Sequence, residues 1–267
     1  MSTATPRPLA LVTGASSGIG YELARQFADN GFDLIVTAED AELPSAAERF
    51  REDGAQVTAV RVDLATAGGV DELYGTVRAA GRPLAAAALN AGVGAGGAFA
   101  TDTELADELR LVDLNVRSTV HLAKYVARDM VARGEGGILF SSSIAATMPG
   151  AFQAVYNASK AFVQSFALAL REELKDTGVT ITSLMPGPTD TEFFERADML
   201  DTRVGSGPKD DPSDVARMGF QALMSGDERA IAASMKTKLQ GRASGALPDS
   251  AKAKMHRKMA EPGKGKR

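Results

Sequence analysis

A short apolar run, Leu9-Ala-Leu-Val12, passes without a break into the glycine-rich turn Thr13-Gly-Ala-Ser-Ser-Gly-Ile-Gly20, and Ile19, Leu23 and Phe27 then recur every four residues. No other feature restricts the fold as much. A run without polar alternation suits a strand covered on both faces, and the four-residue recurrence suits a helix, which Asn30-Gly31 stops. Glycines between the two let the chain turn sharply and let its backbone approach a pyrophosphate. The first helical turn adds unpaired N–H groups and partial positive charge. Strand, turn and helix in this order form a dinucleotide cradle at Gly14, Ser16, Ser17, Gly18, Ile19 and Gly20.

The alternation continues along the chain. Strands are expected at Leu34–Thr37, Val57–Val62, Leu84–Leu89, Gly137–Phe140 and Val179–Leu184, with helices between them, notably over 103–133 and 156–177. Successive βαβ units with right-handed crossovers predict an α/β fold, a doubly wound parallel sheet of Rossmann type, whose ligand crevice lies at the carboxyl ends of the strands. The expected organisation is an N-terminal arm over 1–8, a single α/β domain over 9–235 and a basic extension over 236–267. Within the domain, 186–212 carries Pro, Gly and acidic residues around Phe193-Phe194 and Met199-Leu200, the composition of a substrate lid. The extension holds ten Lys and Arg against Asp249 and Glu261 and reads as a solvated tail, with contact to an anionic surface or a second subunit as the alternative.

Composition excludes several chemistries. There is no cysteine, so no disulfide framework, thiolate nucleophile or Cys-type zinc site exists, and a reducing compartment is expected. The two histidines, His121 and His256, are too far apart in sequence for a helix-face metal pair, so no metal is expected. A net charge of −4 gives no electrostatic case for nucleic acid. The longest apolar run has six residues, Leu84 to Leu89, against the roughly 20 a membrane span needs. No signal-peptide pattern opens the chain, and the expected location is cytoplasmic.

Two constellations compete for the chemistry. Gly14-Ala-Ser16-Ser-Gly18 satisfies the G-x-S-x-G elbow of a serine hydrolase, but the chain upstream has room for only one strand and His256 is a poor base candidate. Tyr156 and Lys160 stand four residues apart, on one helix face, where an ammonium can stabilise a phenolate. Bringing a phenol into use near pH 7 requires lowering its ordinary pKa of about 10 by about 2 to 3.

With these residues in view, the sequence resembles the short-chain dehydrogenase/reductase family over about residues 9–233. Thr13-Gly-x-x-x-Gly-Ile-Gly20 is similar to the family's cofactor turn, Val62-Asp63-Leu64 to its adenine contact and Asn90-Ala91-Gly92 to the segment after strand four. Asn115 in Leu114-Asn-Val116 matches the family's helix asparagine. Ser143 stands thirteen residues before Tyr156, as in the family, with Ser142 as a lesser candidate. Pro186-Gly187-Pro-Thr189-Asp-Thr191 resembles the segment that holds the nicotinamide end. One departure is Leu89, which stands where many members have a further asparagine.

The resemblance implies hydride transfer between NAD(P)(H) and a carbonyl or secondary alcohol. Tyr156 then passes the proton, Lys160 lowers the Tyr156 pKa and binds the ribose, Ser143 positions the reacting oxygen and Asn115 supports a water relay. It also implies a homodimer or homotetramer through the helices at 103–133 and 156–177. A non-catalytic dinucleotide sensor is the alternative, although all four residues of the catalytic set are present. NAD(H) is favoured over NADP(H): Ala38-Glu39-Asp40 follows strand two, Glu39 or Asp40 can accept from ribose hydroxyls, and the turn offers no cation for a 2′-phosphate. Met148, Phe152, Phe193, Phe194, Met199 and Leu200 point to an apolar substrate; His121 is assigned no role.

Overall fold

The structure, a computed structural model, describes residues 6–232 and 247–265. Seven strands form one parallel sheet: β1 (Leu9–Thr13), β2 (Asp33–Ala38), β3 (Val57–Arg61), β4 (Leu84–Leu89), β5 (Gly136–Ser141), β6 (Val179–Pro186) and β7 (Arg229–Ala232), in the order β3-β2-β1-β4-β5-β6-β7. The expected doubly wound sheet is present as a single domain, and each expected strand lies within two residues of its observed bounds. β7 was not expected. Its four residues alternate exposed and buried beside the charged Glu228, too short a pattern to separate from a loop, and it gains its identity only by pairing with β6.

Strand pleating explains why the runs are apolar throughout. Ala10, Val12, Leu34 and Val36 pack on one face against Leu23 and Phe27 of α1 (Gly18–Asp29), Phe50 of α2 (Leu43–Glu52) and Val215 of α8 (Pro212–Ser225). Leu9, Leu11, Ile35, Ile138 and Phe140 face the other way, onto α3 (Ala67–Ala79), α5 (Thr119–Arg133) and α6 (Ala154–Leu174). Both sides of a central parallel strand are therefore covered, and no polar alternation survives. Between the faces the strand order reverses at β1 and β4, the switch point where such sheets leave a crevice.

The helix expected over 103–133 is divided. α4 (Leu105–Val112) leads into one wide turn of π-helix over Asp113–Ser118 before α5 begins. Such a turn carries one extra residue and displaces the side chains around it. Asn115 lies inside it, 1% exposed, with its amide on the main chain of Val93. His121, on α5, pairs through Nε2 with Asp71 at 3.2 Å and lies against the Tyr125 ring, a contact between α3 and α5 remote from the crevice.

Candidate functional site

The carboxyl ends of the central strands open into a cavity of about 1680 Å³, lined by Gly14, Ser16 to Gly20, Ala38 to Asp40, Val62 to Leu64, Asn90 to Gly92, Ser141 to Ser143, Tyr156, Lys160, Pro186 to Thr189 and Thr191. The glycine turn has little spare room. Gly14 and Gly18 have φ of +68° and +57°, where side chains are strained. A Cβ on Gly20 would overlap the carbonyl oxygen of Gly14, and one on Gly18 would reach Thr191 Cγ2 at 3.0 Å. The 186–191 segment thus lies directly over the turn. Thr13 Oγ1 accepts from the backbone N–H groups of Asn90 and Ala91, each at 2.9 Å, and ties the end of β1 to the segment after β4. Leu89, where the resemblance expects an asparagine, is a core residue.

A dinucleotide fits these residues. The N-terminus of α1 faces the cavity at Ser17 and Gly18, and Ser17 leaves its capping position without a side-chain bond. At the end of β2, Ser16 Oγ donates to Asp40 Oδ2 at 2.6 Å, while Asp40 Oδ1 is buried without a partner beside the same cavity. An unpaired carboxylate oxygen there matches a ribose hydroxyl donor.

The expectation that this turn offers no cation is corrected. Arg110 reaches down from α4, pairs with the Glu39 carboxylate and donates through Nη1 to Asp63 Oδ2 at 2.9 Å. Arg61 Nε donates to the Glu39 carbonyl at 2.9 Å. The bond to Arg110 holds the Asp63 carboxyl below its ordinary pKa. Glu39 is therefore an ion-paired carboxylate that shares Arg110 with Asp63, and its partner comes from 71 residues further along the chain.

Ser143, Tyr156 and Lys160 converge at the base of the cleft. Of the three consecutive serines, Ser141 Oγ donates to Asn90 Oδ1 at 2.9 Å and Ser142 Oγ to the Lys160 carbonyl at 3.0 Å, so both hydroxyls are occupied structurally. Ser143 Oγ accepts from Ala145 N–H, lies 3.4 Å from the Pro186 carbonyl and hydrogen-bonds Tyr156. Lys160, 7% exposed, donates to the Ser141 carbonyl at 2.9 Å, and its Nζ lies 5.9 Å from the Tyr156 ring centroid. A Cβ on Gly92 would come within 3.0 Å of Asn115 Oδ1 and 3.2 Å of Lys160 Nζ, so the backbone there passes tightly between the two side chains. Both Asn115 amide atoms are engaged, Nδ2 with the Val93 carbonyl and Ser159 Oγ, Oδ1 with the Val93 N–H.

The expected depression of the tyrosine is also corrected. Burial raises the Tyr156 pKa to about 12, against a smaller lowering by the Ser143 hydrogen bond. Burial likewise lowers Lys160, from 10.5 to about 8. Desolvation outweighs charge pairing because the ammonium is turned to the Ser141 carbonyl and is itself removed from water.

The 186–212 segment does have an apolar underside, but parts of it are core. Thr189 Oγ1 donates to the Gly187 carbonyl, and α7 (Phe193–Arg196) carries Phe194 at 6% exposed, with Met199 fully buried beyond it. Phe193 packs 5.1 Å from the Tyr156 ring and against Gly94, and Phe152 joins the same cluster. Leu200 is 55% exposed and takes no part.

The stretch read as a solvated tail is helical where described. α9 (Asp249–Ala260) buries Ala260 against Phe194 and Met199. The main chain of Met259 accepts from Val204 N–H, and Gly263 N–H donates to Asp201 Oδ2. Met255, His256, Lys258 and Met259 line the cavity. Residues 236–246 and 266–267, the rest of that extension, lie outside the described residues, as do 233–235 before it. Apolar residues at 255, 259 and 260 carry a helical spacing, but Lys252, Lys254, Arg257 and Lys258 around them conceal it. His256 bonds the Ala151 carbonyl and His121 pairs with Asp71, so neither histidine joins Ser16, and the hydrolase elbow lacks a base among the described residues.

No helix among the described residues is long and apolar enough to cross a membrane, and they contain no cluster of metal-ligating side chains.

The family model described as short chain dehydrogenase matches residues 8–199. Sulfoacetaldehyde reductase 2 of Chromohalobacter salexigens is 35% identical over 187 residues, 69% of this chain and 74% of that protein. The NADP-dependent 3-hydroxy acid dehydrogenase YdfG of Salmonella typhi is 32% identical over 67% of this chain and 71% of its own length. Among solved structures, the short-chain dehydrogenase from Sphingobium yanoikuyae in complex with NADPH superposes with a TM-score of 0.77 at 28% identity, covering 90% of this chain and 96% of that one. A short-chain dehydrogenase/reductase from Burkholderia phymatum in complex with NAD shares the fold at 24% identity, with a TM-score of 0.78 over 88% and 92% of the two chains.

Proposed function

The chain belongs to the short-chain dehydrogenase/reductase family of oxidoreductases, and from that premise we propose that it moves a hydride between NAD(P)(H) and a carbonyl or secondary alcohol carbon, with Tyr156 passing the proton. The observation that carries this reading is the meeting of Ser143, Tyr156 and Lys160 in the cavity that the glycine turn opens.

A bound nicotinamide supplies or takes up the hydride. The backbone N–H groups at Gly14 to Gly20 hold the pyrophosphate, with Asp63 and Leu64 at the adenine, Asn90 to Gly92 along the ribose and Pro186 to Thr191 over the nicotinamide end. Lys160 meets the ribose hydroxyls. Ser143 holds the substrate oxygen beside the Tyr156 hydroxyl. A phenol with a pKa of about 12 keeps its proton at neutral pH, so Tyr156 serves first as an acid: its O–H bond breaks as the carbonyl oxygen gains the proton. In the oxidation direction the phenol must lose that proton first, to the water relay that Asn115 supports, with the Lys160 ammonium favouring the phenolate. Asn115 does this as a positioning residue, holding Val93 and the neighbouring wall. NAD(H) is the preferred cofactor, read by Asp40 and Glu39, and Arg110 softens the bar against a 2′-phosphate.

The substrate is a small carbonyl or alcohol compound seated against Met148, Phe193, Met255 and Met259. A second copy of the chain is the expected partner, because Leu105 and Leu109 on α4 and Phe162 on α6 are 67%, 54% and 40% exposed. A panel of carbonyl compounds with NADH and NADPH tests the activity, and Tyr156→Phe tests the mechanism. The variant should lose turnover by roughly 10²–10⁴ while dinucleotide affinity stays nearly unchanged. Retained turnover would sink the assignment of Tyr156.

A further inference from the structure

The cavity lining carries polar side chains that the proton and hydride chemistry does not use. His256 sits on α9 among lysines and arginines, yet it is 5% exposed. Its Nδ1 lies 2.9 Å from the Ala151 carbonyl oxygen. A carbonyl oxygen only accepts, so Nδ1 carries the hydrogen and Nε2 presents a lone pair. Burial lowers the ring's pKa and keeps it in that neutral form. Nε2 has no partner among the described residues, and it is not sealed among packed atoms, because His256 lines the cavity.

Two residues beyond Ala151, Gln153 caps α6 at 7% exposed and lines the same cavity. Its backbone is bonded to Gly150, while its side-chain amide forms no hydrogen bond with a described residue. Met148, Met255 and Met259 give the same cavity apolar wall. An acceptor nitrogen and a side-chain amide without partners among the described residues, both on residues that line a ligand cavity, mark where a ligand's own polar group belongs. A carboxylate oxygen set directly on Nε2 would meet its lone pair. A hydroxyl suits the place, because it donates and accepts at once.

Resting on the carbonyl-reductase reading above, we propose that this part of the cavity lining selects hydroxylated ketones and the diols they yield: a substrate hydroxyl remote from the reacting carbon donates to Nε2 of His256 and accepts from the Gln153 amide. The methionines then hold the alkyl chain between the reacting carbon and that hydroxyl.

The test uses three matched series of 2-alkanones of increasing length: unsubstituted, bearing a terminal hydroxyl, and bearing the methyl ether of that hydroxyl, which cannot donate. At the best length, kcat/KM for the hydroxyketone should exceed that for its ether by roughly 10–100-fold. His256→Asn keeps a donor for the Ala151 carbonyl and removes the acceptor, so this ratio should fall at least about tenfold. Gln153→Leu should lower it as well. If the variants fail to fold, judged by their melting curves, the hydroxyl-to-ether ratio of the unaltered protein still decides. Equal kcat/KM for hydroxyketone and ether overturns the inference, as does an unchanged ratio in His256→Asn. Turnover without hydroxyl preference defeats this inference alone, whereas no oxidation of NADH or NADPH by any series defeats the reading on which it rests.

Discussion

Replacing Lys160 with methionine should give a protein that is more stable and inactive. The ammonium is 7% exposed, and burial brings its pKa from 10.5 to about 8. At about 1.4 kcal/mol per unit, keeping that proton costs the folded state about 3 kcal/mol. Methionine fills a similar volume without charge, but the bond to the Ser141 carbonyl is lost, which takes back about 1.5–3 kcal/mol. The net gain near pH 7 is thus at most about 1 to 2 kcal/mol. Its pH dependence is the sharper sign. Below pH 8 the lysine is protonated in both states and the fold bears the whole cost. Between 8 and 10.5 the folded protein has released the proton and the unfolded chain still holds it, so stability rises with pH. Above 10.5 neither state holds it and the cost is gone. The variant has no such rise, so its advantage should shrink by about 2 kcal/mol between pH 7 and about pH 9.5. Urea denaturation of both proteins at the two pH values measures it. A gap that stays constant across that range would refute the claim that Lys160 is held at the expense of stability.

Three other outcomes are expected. Gly20→Ala forces a Cβ onto the Gly14 carbonyl, so dinucleotide affinity measured by calorimetry should drop by roughly 100-fold or more; an unchanged Kd would show that the turn can relax. Arg110→Gln leaves Glu39 without that ion pair, so KM for NADPH should rise more than KM for NADH, and equal changes would remove Arg110 from cofactor choice. Asp201→Ala cuts the side-chain bond to Gly263 N–H; cleavage at Arg196 or Arg203 by trypsin should then speed up, with protection by cofactor plus substrate weakened, and identical digestion of both proteins would mean that this bond does not fasten the lid.

What could be read in the sequence follows the range of the contacts involved. β1, the glycine turn and α1 are contiguous, so their periodicity and spacing were sufficient. Tyr156 and Lys160 share a helix face for the same reason. The pairing of Arg110 with Glu39 spans 71 residues and the contact of His256 with Ala151 spans 105, and no local pattern records either. The Tyr156 pKa was misjudged from the same cause: adjacency to Lys160 was visible, whereas the depth at which both lie depends on Phe193 and the lid above them. The wide turn around Asn115 was hidden inside an unbroken amphipathic pattern, since one added residue barely alters its period.

Part of the cavity wall is built from residues that follow the whole sheet in chain order. During synthesis the sheet and the glycine turn are complete before α9 has left the ribosome, so the cradle for the dinucleotide can form on a chain whose substrate end is still open. The site closes only when α9 docks, so a chain arrested before Asp249 would present the dinucleotide cradle without the wall formed by Met255 and Met259.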